Sequence, residues 1–200
     1  MIFRHLIVFS QIFYVFLCKI SRVMKICIFC SANHNIDKDF FLMTEELGAE
    51  LAKKGHTIVF GGCNMGLMEC IARATKEHGG HTVGVVPRLV EERGSVSKYV
   101  DVHIPCDNLN DRKALMMAQS DVFIALPGGI GTLDEIFSVA ASATIGYHHK
   151  PVILYNMKGF WDSLLAMLND LHSRKVTRKQ WDAYIKVADS LSEVMALIES

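Results

Sequence analysis

The sequence lacks a surplus of charge of either sign, because 21 lysine and arginine residues are matched by 21 aspartate and glutamate residues. A protein that tracks nucleic-acid phosphates or an anionic membrane surface needs a positive face, so the composition argues against both functions. Any anionic partner must therefore be met by a local group of residues. Half of the 200 residues are hydrophobic, which is enough for one domain with a single core.

The sequence also lacks the paired cysteine motifs of zinc sites. Its six cysteines, at positions 18, 27, 30, 63, 70 and 106, are scattered, and most fall in apolar runs. Cys27 and Cys30 have C-x-x-C spacing in a strand-like run, where positions three apart point to opposite faces, so we expect two buried thiols. The histidines at 78, 81, 148 and 149 lack metal-ligand spacing. These features indicate a reducing, cytoplasmic location and no metal site.

No apolar run is long enough to span a bilayer. The best candidate, Leu6 to Leu17, is too short and contains polar residues. It resembles the core of a signal peptide, but no small-x-small cleavage site follows it. We therefore interpret residues 1–23 as an extension outside the fold, with Met24 as the natural start, and we expect no stable membrane insertion.

From Lys25 onward, short apolar runs alternate with helical patterns. Strands are predicted at 26–29, 57–60, 82–86, 99–104, 122–126, 151–155 and 184–187. Helices are predicted at 38–54, from the glycine-containing loop at 61–66 to about 78, and at about 111–119, 133–144, 160–172 and from 190. This alternation indicates a Rossmann-like, doubly wound α/β fold, in which helices cover both faces of a parallel sheet. One domain spans 24–200, and ligands are expected at the carboxyl ends of its strands.

The segment most typical of a binding site is Pro127 to Thr132, which follows a predicted strand and opens a predicted helix. Its glycines let main-chain N–H groups approach an anion at the positive end of a helix dipole, and phosphate is the natural ligand. The segment is neither a P-loop nor the dinucleotide fingerprint, and a purely structural turn is the alternative. A second loop, containing Gly61, Gly62 and Gly66, is expected to accept the sugar or the base.

Three charged residues accompany these loops. Glu135 faces the first loop, where its carboxylate can stabilise a developing positive charge or activate water. The spacing Thr132-x-x-Glu135 also fits a capping box, in which Glu135 only returns a hydrogen bond to its own helix. Arg112 and Lys113 fall in the first turn of a predicted helix, where cations oppose the dipole, so we expect an anion beside them. A solvated pair of charges is the alternative.

Four spaced motifs occur along the chain. They are Phe29-Cys30-Ser31, Gly61-Gly62-x-x-x-Gly66-Leu67-Met68, Arg112-Lys113-Ala114-x-Met116, and Pro127-Gly128-Gly129-Ile130-Gly131-Thr132-Leu133-Asp134-Glu135. A further segment, Gly146-Tyr147-His148-x-Lys150-Pro151, follows them. Together these motifs resemble the Lonely Guy family, long described as lysine decarboxylases, whose signature is P-G-G-x-G-T-x-x-E. The resemblance covers roughly Met24 to residue 200.

The resemblance implies hydrolysis of the N-glycosidic bond of a nucleoside 5′-monophosphate. The substrate would be N6-modified AMP such as isopentenyl-AMP, a cytokinin precursor, or AMP itself. Arg112 and Glu135 are the implied catalytic pair, no cofactor is implied, and a homodimer is expected through the helices after the signature. The implied substrate-binding residues are Ser31, Gly61, Gly62, Gly66, Met68, Glu92, Lys113, Pro127, Gly128, Gly129, Ile130, Gly131 and Thr132.

The sequence departs from the family pattern at Ala141-Ser142-Ala143-Thr144, where many members have Thr-Trp-Ala-Gln. This difference is expected to remodel the base pocket or the subunit contact. A non-catalytic nucleotide or molybdenum-cofactor carrier of the same fold is the main alternative, and the joint presence of Arg112 and Glu135 favours the enzyme. A pyridoxal-phosphate decarboxylase would need a buried lysine, whereas the lysines here fall at helix ends and in polar stretches.

Overall fold

The computed structural model describes residues 22–200, and within them seven parallel strands form one sheet. The strands are β1 (Lys25–Phe29), β2 (Thr57–Phe60), β3 (His81–Pro87), β4 (Val102–Cys106), β5 (Val122–Ala125), β6 (Val152–Tyr155) and β7 (Ile185–Ala188). Every residue of β5 and β6 is buried. Continuous burial of this kind is what a strand covered on both faces requires.

Seven α-helices lie between or after these strands in the same part of the chain. They are α1 (Lys38–Lys53), α2 (Gly66–Glu77), α3 (Arg88–Glu92), α4 (Leu109–Gln119), α5 (Ile130–Thr144), α6 (Asp162–Ser173) and α7 (Leu191–Ile198). Asp37, Asn108 and Ser190 cap α1, α4 and α7 with their side chains. By contrast, α2 and α5 begin without a side-chain cap, and both beginnings belong to the site described below.

The sheet has the strand order β4-β3-β2-β1-β5-β6-β7. The chain runs outward from β1 to β4 on one side and from β5 to β7 on the other, so the order reverses between β1 and β5. These two strands pair directly, with Cys27 opposite Phe123. Loops that leave two such strands turn to opposite faces and open a crevice at the carboxyl ends. The predicted doubly wound fold is therefore confirmed, and both glycine loops border the expected crevice.

Apolar side chains cover both faces of the sheet, and β1 shows the division. Ile26 and Ile28 pack in one buried cluster, whereas Cys27 and Phe29 pack in the other. Cys30 falls in the cluster opposite Cys27, and both cysteines are buried free thiols. The prediction that the C-x-x-C pair points to opposite faces is confirmed.

The main differences from the predicted elements are in α5, α3 and β4. Helix α5 begins at Ile130 instead of Leu133, because Gly129 and not a polar side chain ends the loop. Helix α3 was not predicted, since its five residues bury no side chain and leave no periodic apolar signal. Strand β4 begins at Val102 instead of Tyr99, and its mostly exposed edge position weakens the apolar pattern.

The predicted extension lies outside the described residues except for Arg22 and Val23, and a natural start at Met24 stays a prediction. Within residues 22–200, no helix combines the length and the apolarity needed to cross a membrane. In the same range, no group of three or more His, Cys, Asp or Glu side chains is arranged to hold a metal ion.

Candidate active site

Ser31, directly after β1, joins the two glycine loops. Its N–H donates to the carbonyl of Pro127 at 3.0 Å, and its carbonyl accepts from the N–H of Leu67 at 2.9 Å. Its hydroxyl accepts from the N–H of Asn33 at 3.0 Å. Ser31 thus bonds both the loop from Pro127 to Thr132, here called the signature loop, and the first turn of α2. The two predicted loops therefore form one continuous site.

The signature loop is tight on its helix side and open on its crevice side. A Cβ added at Gly128 would lie 2.1 Å from Oγ1 and 2.6 Å from Cβ of the buried Thr132. A Cβ added at Gly129 or Gly131 would meet nothing within 4 Å. The first glycine therefore serves the packing of the loop, and the other two leave its main chain accessible.

Helix α5 begins at this loop with Gly129 as its N-cap, and no side chain accepts a hydrogen bond there. The first N–H groups of a helix have no acceptor within the helix, and the helix dipole adds partial positive charge to them. This end of α5 therefore presents main-chain donors to an anion, as the sequence predicted for phosphate.

Helix α2 begins in close contact with the chain that leaves β1. Gly66, its first residue, has a φ of +56°, and a Cβ there would lie 2.6 Å from the carbonyl oxygen of Ser31. Both the positive φ and the neighbouring backbone exclude any other residue. Met65, the N-cap, provides no side-chain acceptor, while Nδ1 of His34 lies 3.4 Å from the N–H of Gly66. A second helix N-terminus thus borders the site.

Arg112 reaches over the second loop from α4. Its Nη2 lies so close to Gly61 that a Cβ added there would be 1.7 Å away, and Sδ of Met68 would be 3.3 Å from the same position. The Arg112 side chain is 13% exposed, and its Nε is buried without a hydrogen-bond partner in the described part of the chain. A buried donor without an acceptor is costly, so this guanidinium is well suited to bind a polar ligand.

Glu135 faces Arg112 from α5. Its Oε1 lies 3.8 Å from Nη2 of Arg112, and 9% of its side chain is exposed, so the two charges attract each other without forming a hydrogen bond. Burial raises the pKa of Glu135 to about 7. The negative charge of Asp134 adds to this rise, whereas the positive charges of Arg112 and Lys113 oppose it. A carboxyl group that titrates near neutral pH beside an anion site can exchange a proton with water or a substrate.

The capping-box interpretation of Glu135 is wrong. Because Gly129 is the N-cap and Ile130 the first residue of α5, Thr132 is the third helical residue and Glu135 the sixth. A capping box needs serine or threonine at the N-cap and the acidic residue at the third position. The Glu135 carboxylate therefore does not serve the first turn of its own helix, and its functional interpretation remains.

Lys113 is held by a neighbouring carboxylate. Its Nζ lies 2.8 Å from both carboxylate oxygens of Asp134, and its side chain is 17% exposed. The pair joins α4 to α5 directly beside Arg112 and Glu135. Asp134 was not predicted as a site residue, and only its place next to Glu135 in the signature could have indicated it.

Glu92 is a predicted site residue for which the structure shows no polar contact with the other site residues in the described part of the chain. It is exposed at the end of α3, and no residue of the 22–200 range forms an ion pair with it, whereas its neighbour Glu91 pairs with His103 at 2.7 Å. Its role stays a prediction that this placement does not favour. Ile130, also predicted to bind substrate, is 88% exposed, and its role also stays a prediction.

The arrangement combines an anion cradle with a carboxyl group that can change its protonation state. A phosphate at the start of α5 would place the atoms attached to it against Glu135 and Arg112. At that position a carboxylate stabilises positive charge that develops on a sugar carbon, and a guanidinium donates to sugar or phosphate oxygens.

Comparisons with known proteins identify the family of the chain. Residues 68–198 match the family model described as "Possible lysine decarboxylase". A protein of Oryza sativa subsp. japonica named "Probable cytokinin riboside 5'-monophosphate phosphoribohydrolase LOGL5" is 40% identical over 149 residues, which are 74% of this chain and 61% of the rice protein. The chain thus spans less than two thirds of that relative. A second rice protein, with the same name ending in LOGL2, is 35% identical over 90% of this chain and 73% of its own length.

Solved structures share the fold. An X-ray structure of the protein TM1055 has a TM-score of 0.68 and 27% identity, and the match covers 88% of this chain and 98% of that one. A molybdenum cofactor binding protein from Rippkaea orientalis has a TM-score of 0.65 and 25% identity over 88% of this chain and 96% of its own. From the matched family model and the identity with the rice proteins, we conclude that the chain belongs to the Lonely Guy family.

Proposed function

We propose that the protein hydrolyses the N-glycosidic bond of a nucleoside 5′-monophosphate and releases the free base and ribose 5-phosphate. The observation that carries this proposal is the buried pair of Arg112 and Glu135, 3.8 Å apart, beside a helix that begins without a side-chain cap. The names of the related proteins describe the same reaction on cytokinin riboside 5′-monophosphates.

In the proposed reaction, the phosphate binds the main-chain N–H groups from Gly129 to Thr132, and the ribose lies against Glu135. As the bond between C1′ and the base breaks, the base leaves with the bonding electrons and takes up a proton from the solvent. Positive charge develops on the sugar ring, and the Glu135 carboxylate stabilises it. Water then adds its hydroxyl group at C1′ and gives up a proton, for which Glu135 is the acceptor. Arg112 donates hydrogen bonds to substrate oxygens through N–H groups of its guanidinium.

The proposed substrates are N6-modified AMP, such as isopentenyl-AMP, and AMP itself. The names of the relatives support the modified nucleotide. The departure at residues 141–144 lies about 9 Å or more along α5 from Glu135, at 1.5 Å per residue. Ala141 and Thr144 line an apolar groove together with Phe137 and Ile145. We therefore propose that this departure changes a surface of the protein and leaves the crevice around Glu135 intact.

Product analysis tests the reaction. The purified protein is incubated with AMP or isopentenyl-AMP, and chromatography should show free base and ribose 5-phosphate in equal amounts. Glu135→Gln should abolish release, because it removes the carboxylate. Glu77→Gln is a matched control, since that glutamate is exposed on α2 and should not affect the rate. If the wild type releases no base from either nucleotide, the proposed reaction is wrong.

A second variant tests the phosphate position. Gly129→Ala adds a methyl group where the protein leaves at least 4 Å of open space, so the free energy of unfolding should change little. The same methyl group would meet a phosphate bound at the start of α5, so the Kd of AMP, measured by calorimetry, should rise. Unchanged AMP affinity would place the phosphate elsewhere.

The carrier interpretation rests on the likeness to the molybdenum cofactor binding protein. A carrier needs the anion cradle but not a carboxyl group poised beside the ligand, and the buried Glu135 therefore favours the enzyme. The two functions give different results with the same protein. A carrier would bind AMP without releasing adenine, and Glu135→Gln would not weaken that binding. The decarboxylase interpretation is weaker still, because Lys113, the lysine at the site, is held by Asp134.

We further propose a homodimer formed through the second half of α5. Ile145 and Tyr147 are 67% and 80% exposed, and they follow the groove of about 510 Å³ that α5 and α6 line. An exposed apolar surface of this kind is typical of a contact between subunits. Light scattering should give a dimer mass that Ile145→Lys reduces. We also propose a reducing, cytoplasmic location, which the buried free thiols support.

A further inference from the structure

Two neighbouring pairs of opposite charge bridge α4 and α5. Lys113 contacts both oxygens of Asp134 at 2.8 Å, whereas Arg112 and Glu135 lie 3.8 Å apart. The members of the two pairs are adjacent in sequence on both helices, so the pairs lie side by side. Lys113 and Asp134 form the outer pair, which is in close contact and in which Asp134 is half-exposed. Arg112 and Glu135 form the inner pair, which is buried and not in close contact.

We propose that Lys113 and Asp134 are positioning residues, whose contact sets the spacing of α4 and α5 and keeps Arg112 and Glu135 near each other without a direct hydrogen bond. This inference rests on the proposed function. A buried arginine and a carboxylate that are free to approach close to roughly 2.7–2.9 Å, because charge-assisted hydrogen bonds are strong. A separation of 3.8 Å therefore requires other contacts that fix the two helices.

Apolar packing holds the body of α4 against α5, since Met116 lies in the same buried cluster as Ile136 and Val139. At the far end of the helix, Nζ of Lys150 donates to the carbonyl of Met117 at 2.7 Å, which fixes the end away from the site. On the side of the second loop, Gly61 lies directly against the Arg112 guanidinium and limits its retreat. The Lys113 contact adds a charged link toward α5 in the turn that carries Arg112.

The open spacing has a chemical consequence. A direct hydrogen bond between Arg112 and Glu135 would occupy a carboxylate oxygen and hold the group ionised. At the observed distance both side chains keep free bonding positions for a substrate. The outer pair would thus carry the attraction between the helices, while the inner pair stays available for the reaction.

Enzyme kinetics separate a positioning role from direct substrate binding by Lys113. Lys113→Met and Asp134→Asn should each lower kcat by a similar factor, about 10–100-fold, with little change in KM, because a displacement of about 1 Å at a reacting group has an effect of this size. The double variant should lose no more than the larger single loss, since both changes remove one contact. Lys113→Arg should retain most of the activity, because a guanidinium binds a carboxylate through two parallel hydrogen bonds.

A matched control is Lys54→Met. Lys54 pairs with Glu199 at 2.6 Å between the ends of α1 and α7, away from the site, and this variant should keep the wild-type kcat. A higher KM for Lys113→Met together with normal kinetics for Asp134→Asn would show that Lys113 contacts the substrate, and this result would overturn the inference.

A titration without substrate tests the positioning role even if the wild type releases no base. The carboxyl carbon of Glu135, labelled with ¹³C and assigned with Glu135→Gln, reports the pKa of this group by NMR. In the Lys113→Met, Asp134→Asn double variant both flanking charges, which shift this pKa in opposite directions, are absent. The buried thiols of Cys27, on β1, and Cys30, which follows β1, also interact electrostatically with Glu135, but burial raises their own pKa values and keeps them neutral.

If the helices relax and Arg112 closes on the carboxylate, the pKa of Glu135 should fall by about one unit or more in the double variant. An unchanged pKa would show that the outer pair does not set the spacing. A failure of the proposed reaction would instead appear as a wild type with the expected titration and no product.

Discussion

Glu135→Gln should stabilise the folded protein at high pH and change its stability little at low pH. Burial raises the pKa of Glu135 from 4.5 to about 7, so folding favours the neutral carboxyl group. Below the pKa of the unfolded state, the neutral Glu135 side chain makes its full contribution to the free energy of unfolding. This contribution is lost as the pH rises through the pKa of the folded state. The interval between the two pKa values corresponds to about 3 kcal/mol of unfolding free energy. The wild type should lose this amount above about pH 8, and the variant should not.

Urea unfolding followed by circular dichroism, at several pH values between 5 and 8.5, measures this effect. The stability difference between Glu135→Gln and wild type should grow by roughly 2–3 kcal/mol across this range, equivalent to a melting-temperature difference of about 4–12 °C for a domain of this size. Glu77→Gln, at an exposed position, should follow the wild type throughout. Parallel stability curves for Glu135→Gln and wild type would show that the carboxyl group is not buried as described, and would refute the reasoning.

Three further predictions concern the same site. Gly61→Ala should displace the Arg112 guanidinium, because the added Cβ would lie 1.7 Å from Nη2; kcat/KM should fall by about 100-fold while the urea midpoint changes little. Gly128→Ala should destabilise the protein by about 1–3 kcal/mol, because its Cβ would lie 2.1 Å from the buried Thr132 hydroxyl, and urea unfolding checks this value. The pH profile of kcat/KM should rise through about pH 7, the pKa of Glu135, since the carboxylate is the reactive form; a falling limb there would make Glu135 an acid instead.

The sequence was sufficient to predict the parallel sheet and the edge of the sheet at which the signature loop lies. Buried strands such as β5 and β6 are continuous apolar runs, and the carboxyl ends of parallel strands meet at one edge of the sheet. The loop from Pro127 to Thr132 could therefore be placed at that edge, whereas its position beside β1 follows from the strand order, which the sequence did not predict. The sequence also predicted Arg112 and Glu135 as a pair, through the family motifs and the chemistry of charges near an anion site.

The sequence could not predict how the helices pack around that pair. The contact between Lys113 and Asp134 joins residues 21 positions apart on two helices, and its existence depends on the spacing of α4 and α5, for which no local pattern is diagnostic. The same limit applies to Gly61, whose need for glycine comes from the Arg112 side chain above it. The capping-box error had a local cause, because the spacing of Thr132 and Glu135 fits a box whenever the true start of the helix is unknown.

The absence of a side-chain cap on α5 links recognition to folding. A polar cap contributes about 1 kcal/mol to a helix, and α5 begins without that contribution. An anion that binds the first turn of α5 supplies the missing acceptors, so it becomes part of the folded structure as well as a ligand. Nucleotides should therefore protect the protein against heat, whereas the corresponding nucleosides, which carry no phosphate, should protect it far less.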